Sequence, residues 1–149
     1  MSRPVFAFAV LVIVTGCRTA GPAAPTAAAS PGGLAGTSWV VEQIDGSDVV
    51  ERGSATVDFG TPPTRVSGRT SCNRYSASLT AAGDTLRIDQ AATTKMACAP
   101  SLMDQERRFL AALGAVTTYR REGDRLLLLD EGGRARLRLS RGTAAARAA

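Results

Sequence analysis

Residues 116–139 read VTTYRREGDRLLLLDEGGRARLRL. Three apolar-rich segments, 116–121, 126–129 and 135–139, are broken by Glu122-Gly123-Asp124 and by Asp130-Glu131-Gly132-Gly133. Short β-favouring runs punctuated by polar, glycine-containing turns predict a three-stranded antiparallel meander. Arg134-Ala135-Arg136-Leu137-Arg138-Leu139 alternates strictly, which puts its arginines on a solvated face over an apolar one.

Upstream, the pattern repeats. Residues 38–44, SWVVEQI, form a strand that ends at the turn dipeptide Asp45-Gly46. Trp39, the one tryptophan, is expected to plug the core. Residues 55–59 alternate as a half-buried strand does, Thr61-Pro62-Pro63-Thr64 interrupts it, and 65–68 resume. Residues 73–80 and 86–88 flank Ala82-Gly83-Asp84 and suit a hairpin. Helical periodicity is confined to one segment. Ser101-Leu102-Met103-Asp104 after Pro100 resembles a capping box with Asp in place of Glu, and Gly114 ends the segment. Leu102, Met103, Phe109, Leu110 and Leu113 share a core face, while Asp104, Gln105, Arg107 and Arg108 are expected to face away. The fold class is therefore mainly β (α+β), a single small domain with one amphipathic helix.

The first residues differ in kind. Arg3 precedes an unbroken apolar run at 5–14, VFAFAVLVIV, which is shorter than the roughly 20 residues a bilayer span needs. Val14-Thr15-Gly16-Cys17 follows and resembles the bacterial lipobox. Residues 1–16 are thus expected to be a lipoprotein signal peptide, and Cys17 the site of lipid attachment. Residues 17–36, rich in Ala, Pro and Gly, read as a flexible linker, with a domain over 37–140. The segment 141–149 has nothing to bury and is expected to be disordered. The expected location is the cell envelope, lipid-anchored and facing the periplasm or the exterior.

Lys and Arg total 18 against 13 acidic residues, but the arginines are interleaved with acids and no basic stripe alternates with aromatics. No nucleic-acid partner is expected from that pattern. Setting Cys17 aside leaves Cys72 and Cys98. In an oxidising compartment they are expected to pair, the alternative being two buried thiols. Two cysteines and no histidine make an incomplete zinc set, so no metal or cofactor is expected.

Gly36-Thr37-Ser38-Trp39, then Gly68-Arg69-Thr70-Ser71-Cys72-Asn73-Arg74-Tyr75, then Thr94-Lys95-Met96-Ala97-Cys98 occur in that order. With Glu106, Phe109-Leu110, Leu113 and the segment 119–129, they resemble the META domain of the HslJ-like family. The motif residues are Trp39, Gly68, Asn73, Tyr75, Thr94 and Met96. The resemblance implies an antiparallel, cracked-barrel-like sheet with one helix, in envelope proteins, and supplies no catalytic residues. The chain departs at Ser71 and Ala77, where the family usually has glycine, so no positive φ is carried over to either position.

An enzyme needs a general acid or base, and without histidine the options are carboxylates, tyrosines and Lys95, the one lysine. Ser71, Thr93 and Thr94 lie near Lys95 in sequence, but no Gly-x-Ser-x-Gly elbow surrounds them. Asp45, Asp48 and Glu51 read as solvated turn charge. No catalytic residue is assigned. Asn73 is expected to cap a turn and Tyr75 to pack in the barrel, rather than to mark a ligand site. The expected role is a membrane-tethered, non-catalytic interaction or structural module, linked to envelope stress or to assembly of another envelope protein. The alternative is a carrier of a small apolar ligand or lipid in the barrel interior, with a periplasmic enzyme ranked last.

Overall fold

The computed structural model describes residues 33–50 and 53–142. The leader, Cys17 and most of the expected linker lie outside the described residues, as do Glu51 and the segment from 143 on.

Among the described residues, ten strands and one helix follow in the order β1 (Ser38–Ile44), β2 (Ser47–Asp48), β3 (Thr56–Phe59), β4 (Arg65–Arg69), β5 (Arg74–Ala82), β6 (Thr85–Ile88), β7 (Ala92–Thr93), α1 (Pro100–Gly114), β8 (Thr118–Glu122), β9 (Arg125–Leu129) and β10 (Ala135–Arg141). Neighbours run β10-β9-β8-β6-β5-β4-β3-β1-β2, and β10 also pairs with β1, which closes the strands into a ring. It is not a regular barrel. Between β6 and β8 the register holds at Thr85 and Thr118, flanked by bonds from Leu86 N to Thr117 O and Tyr119 N to Asp84 O. That seam is the crack in the wall.

The strands form where β-branched and aromatic residues alternate with polar ones, and the alternation decides which side faces in. Along β1, Trp39, Val41 and Ile44 are buried; along β5, Tyr75, Ala77 and Leu79. The meander predicted for 116–139 is present as β8, β9 and β10. Asp45 and Gly46 adopt φ of 52° and 81°, the left-handed pair that lets a two-residue turn match the twist of β1 and β2. Residues 61–64 do not merely interrupt one strand, because β3 and β4 pair as antiparallel neighbours around them.

Four expectations need correction. Helix α1 starts two residues earlier than a capping box at Ser101 requires: Pro100 occupies the first turn, Ala99 is the N-cap, and no side chain caps it. Proline at the first helical position suits that start, because its missing N–H would have no partner within the helix and its fixed φ is already helical. Gln105 does not face away; it is fully buried beside Glu106, Phe109, Ala112 and Leu113. Arg136 is not simply solvated, since a bulge at residues 135–137 of β10 turns it toward Asp45, with Nε 2.6 Å from Oδ1. The domain also extends past both expected edges. Leu34 is fully buried, and β10 continues to Arg141, which pairs with Trp39.

Leu34, Trp39, Phe109, Leu113, Leu126, Leu128 and Leu137 fill the interior with α1 packed against β1, β6 and β10. Trp39 is the plug that the sequence suggests. Its indole N–H donates to Thr37 Oγ1 at 2.8 Å, and Thr37 Oγ1 donates to the Leu34 carbonyl at 2.6 Å. Two guanidiniums, of Arg121 and Arg141, stand 5.7 and 5.6 Å from its ring centre.

Candidate functional site

Of the motif residues, Gly68, Asn73, Tyr75, Thr94 and Met96 gather where the β4–β5 hairpin meets α1 and the segment after β7, while Trp39 lies in β1 and bonds to Thr37. Residues 70–73 make the tip of that hairpin, and Ser71 takes φ of 110° despite carrying a side chain. The expectation of no positive φ here is overturned. A non-glycine residue in this region is strained, and its surroundings must hold it. They do so through the hydroxyl, which donates to Gly53 O at 3.1 Å and accepts from Gln105 Nε2 at 2.6 Å. Gln105 also donates to Gly53 O and accepts from Val50 N at 2.7 Å, so its amide is satisfied on every side. This is why a polar residue turns inward from the helix. Ala77 lies within β5 and is buried.

Glu106, 7% exposed, is the hub of a second set of bonds. Its Oε2 accepts from the Thr70 hydroxyl and from Asn73 N at 3.1 Å, and its two oxygens receive Asn73 Nδ2 at 3.0 and 3.1 Å. On the other side, Asn73 Oδ1 accepts from Thr94 Oγ1 at 2.8 Å and from Met96 N at 2.7 Å. Asn73 therefore does not cap a local turn. It ties the helix, the hairpin and the segment after β7 to one another, because a buried amide has donors and acceptors pointing opposite ways. Cys72 and Cys98 are joined by a disulfide, Cα–Cα 6.0 Å, that links two of these three, the hairpin tip and the segment after β7. In the chain-entropy model a loop of this length adds roughly 3–4 kcal/mol. Met96 takes part through its backbone, and its side chain is 60% exposed. Lys95 is exposed, the Ser71 hydroxyl bonds to Gly53 O and Gln105, and the Thr94 hydroxyl donates to Asn73 Oδ1.

Tyr75 packs in the core, edge-on to Phe109 at 5.3 Å between ring centres, as expected. Its hydroxyl donates to Thr56 O at 3.0 Å. Gly68, the register partner of Tyr75, explains that reach: a Cβ at 68 would lie 2.3 Å from the same carbonyl oxygen. Burial raises the Tyr75 phenol far above its ordinary range, with the charge of Asp58 adding to the shift. Tyr119 moves the same way through burial and Asp84, opposed by Arg121. Below about pH 10 both folded and unfolded chains hold these protons, and the stability is present in full. Above it the unfolded chain releases them while the folded one does not, so stability falls as pH rises. In urea titrations from pH 8 to 11.5 the midpoint should fall above pH ~10, and Tyr75→Phe should flatten that decline while losing about 1 kcal/mol at neutral pH. An unchanged alkaline slope would show that Tyr75 does not carry the effect.

On the outer face, a cleft of about 450 Å³ opens over β1, β3, β4 and β5, lined by Ser38, Thr56, Asp58, Ser67, Gly68, Arg69, Arg74 and Tyr75. It is outside the barrel wall. The interior along Leu126 and Leu128, where a carrier would hold its ligand, is occupied by core side chains.

The model of the META domain family matches residues 32–143. The chain matches no curated protein. Among solved structures, an NMR structure of a protein from Burkholderia xenovorans is similar at 24% identity and a TM-score of 0.61, over 89% of this chain and 99% of that one. A crystal structure of a DUF4847 family protein from Bacteroides vulgatus is similar at 15% identity and a TM-score of 0.54, over 73% of this chain and 94% of that one. These likenesses concern the fold. The motifs of the hairpin, the disulfide bracket, the cracked ring of strands and the match over 32–143 agree: this chain belongs to the META domain family.

Proposed function

We propose that this META-domain protein is a lipoprotein of the bacterial cell envelope, anchored through Cys17, and that its domain is a non-catalytic interaction or structural module. The observation that carries the non-catalytic reading is the use of the motif side chains. Thr70, Ser71, Asn73, Thr94 and Glu106 spend their polar groups on one another, on Gln105 and on backbone, which holds the fold and leaves none of these five side chains poised for proton transfer. The anchor rests on Val14-Thr15-Gly16-Cys17 after an apolar run, and the Cys72–Cys98 bond fits an oxidising compartment. Envelope stress, or assembly of another envelope protein, is the setting such a tethered module suits. A carrier of apolar ligands in the barrel would need the space that Trp39, Phe109 and the leucines occupy.

Intact mass and membrane fractionation of the full chain beside Cys17→Ala test the anchor. The wild type should sediment with membranes and carry added acyl mass, and the variant should lose both. Buried methylenes contribute roughly 0.8 kcal/mol each, so acyl chains leave little protein free. Equal masses and equal partition of the two proteins would remove the anchor from the reading.

A further inference from the structure

The seam between β6 and β8 leaves part of the β6 backbone without a neighbour. Asp89 N donates to Ser78 O at 3.1 Å, while Leu79, the register partner of Ile88, sends its own N–H the other way, to Thr64 O at 2.9 Å. Backbone groups alternate sides along an antiparallel strand, so Ile88 turns its N–H and C=O away from β5 and into the seam. There β8 pairs with β6 at Thr85 alone, and beyond it Leu86 N donates to Thr117 O at 2.8 Å. No described residue bonds to the seam-facing groups of Ile88. Yet the residue is 7% exposed, a depth at which backbone groups are normally paired.

A cavity of about 440 Å³ opens at this point, and Ile88, Asp89, Leu110, Leu113 and Gly114 are among the residues that line it. Its floor is apolar, since Leu110 is partly and Leu113 wholly packed into the core. Its rim is negative. Asp89 is exposed and pairs with no described cation, and α1 ends at Gly114 with no basic residue in its last turn to offset the partial charge of its carbonyls. An open strand edge over an apolar floor is what an added strand uses: main-chain bonds give affinity, and a side-chain pocket gives specificity. The charge of the rim selects the side chain. We propose that the seam binds an extended segment of another polypeptide, paired through its backbone to Ile88, with a lysine or arginine of that segment between Asp89 and the C-terminal end of α1. This partner deepens the interaction-module reading, on which it rests, and makes no use of Cys17.

The test is titration of the ¹⁵N-labelled full chain with an acetylated, amidated pentapeptide in which threonine and valine flank a central lysine on both sides, valine next to it. Saturable amide shifts should centre on Ile88, Asp89 and Gly114. Exchange of the Ile88 N–H with solvent should slow at least about tenfold in the complex, because the peptide supplies its acceptor. Two analogues, N-methylated at the lysine or at both valines, should divide: one loses binding and the other keeps it, since only alternate groups of a strand meet the edge. Glutamate in place of the lysine should weaken the peptide about tenfold. Asp89→Asn should weaken the lysine peptide about threefold to fivefold and leave the glutamate peptide no weaker. Gly114→Lys, whose added side chain starts in open space, should weaken the lysine peptide by putting a cation of the chain's own at the rim. Both positions are exposed, and matched melting temperatures would confirm that the variants fold. The proposal is overturned by shifts that never saturate at tens of millimolar, by unchanged Ile88 exchange at saturation, by N-methyl analogues that bind alike, or by equal affinity for the lysine and glutamate peptides. Shifts at the same amides that grow with protein concentration alone would assign the edge to a second copy of this chain and overturn it as well. A failed titration removes this partner and leaves the anchor to the mass and fractionation experiment.

Discussion

Glu106→Ala is expected to lower the unfolding free energy by about 3–5 kcal/mol, a large share of the ~5–15 kcal/mol available to a domain of this size. The loss does not come from packing. Removing the carboxylate leaves the Thr70 hydroxyl, the Asn73 N–H and the Asn73 amide short of an acceptor, all within a buried region. Each orphaned donor costs roughly 1–3 kcal/mol, and the sum is moderated because Asn73 N also reaches Thr70 Oγ1 at 3.0 Å and the Thr70 hydroxyl can donate to Asn73 O at 3.1 Å. Glu106→Gln should not rescue, since it turns an NH₂ group toward donors. Asn73→Ala should cost a similar amount, and a double-mutant cycle in urea should return a coupling of at least about 1 kcal/mol, as expected of residues in one network. A Glu106→Ala protein within 1 kcal/mol of wild type would mean that water replaces the carboxylate without loss.

Trp39→Ala should be comparably damaging, by about 3–5 kcal/mol, and should lower the melting temperature by well over 10 °C in a thermal scan. Here the loss is volume. Trp39 is fully buried against the interior, and its removal opens a cavity at the end of the ring that Leu34 and Thr37 help to close. Trp39→Phe keeps most of the packing and loses the indole bond to Thr37, so it should fall about 1–2 kcal/mol short of wild type. Arg121→Gln and Arg141→Gln should each cost no more than ~1 kcal/mol, because cations over the ring are exposed to solvent. If the arginine variants proved as damaging as Trp39→Ala, the stack and not the plug would be the source of stability.

The strands of this fold were legible because burial in a sheet leaves a period-two trace. That is why β1, β5, β6 and β10 follow the alternation of Trp39, Val41, Tyr75, Ala77, Leu79, Leu86, Ile88, Leu137 and Leu139, whereas β9, buried at Leu126, Leu127 and Leu128 in succession, was legible from the polar turns on either side of it. The helix was legible in extent and wrong on one side. Gln105 read as solvent-facing because polarity alone was the guide, and a helix whose polar residues grip a hairpin has no distinct periodicity. The one signal that pointed at Glu106 was its place among the residues shared with the META family. Asn73 was misjudged for a related reason: a turn needs bonds a few residues apart, whereas its partners Glu106, Thr94 and Met96 lie far away in sequence. Ser71 shows the same limit from another direction. Serine gives no hint of a left-handed backbone, and the bonds from Gly53 and Gln105 that hold it come from elsewhere in the chain. The cleft was not anticipated at all, because Arg69 and Arg74 face one another only once the hairpin is in register.

The ring closes where the first strand meets the last. Trp39 pairs with Arg141 and Ile44 with Leu137, a join between segments that almost the whole domain separates. Contacts so remote in sequence must overcome the entropy of drawing in the intervening chain, which places this fold among the slow, topologically demanding ones. When the chain emerges in order from its first residue, β1 has β2 and β3 beside it early but waits with one edge bare until β10 arrives. An unpaired edge of that kind is a template for misassociation between copies. The interval between the appearance of β1 and of β10 is therefore the period in which a nascent molecule most needs protection.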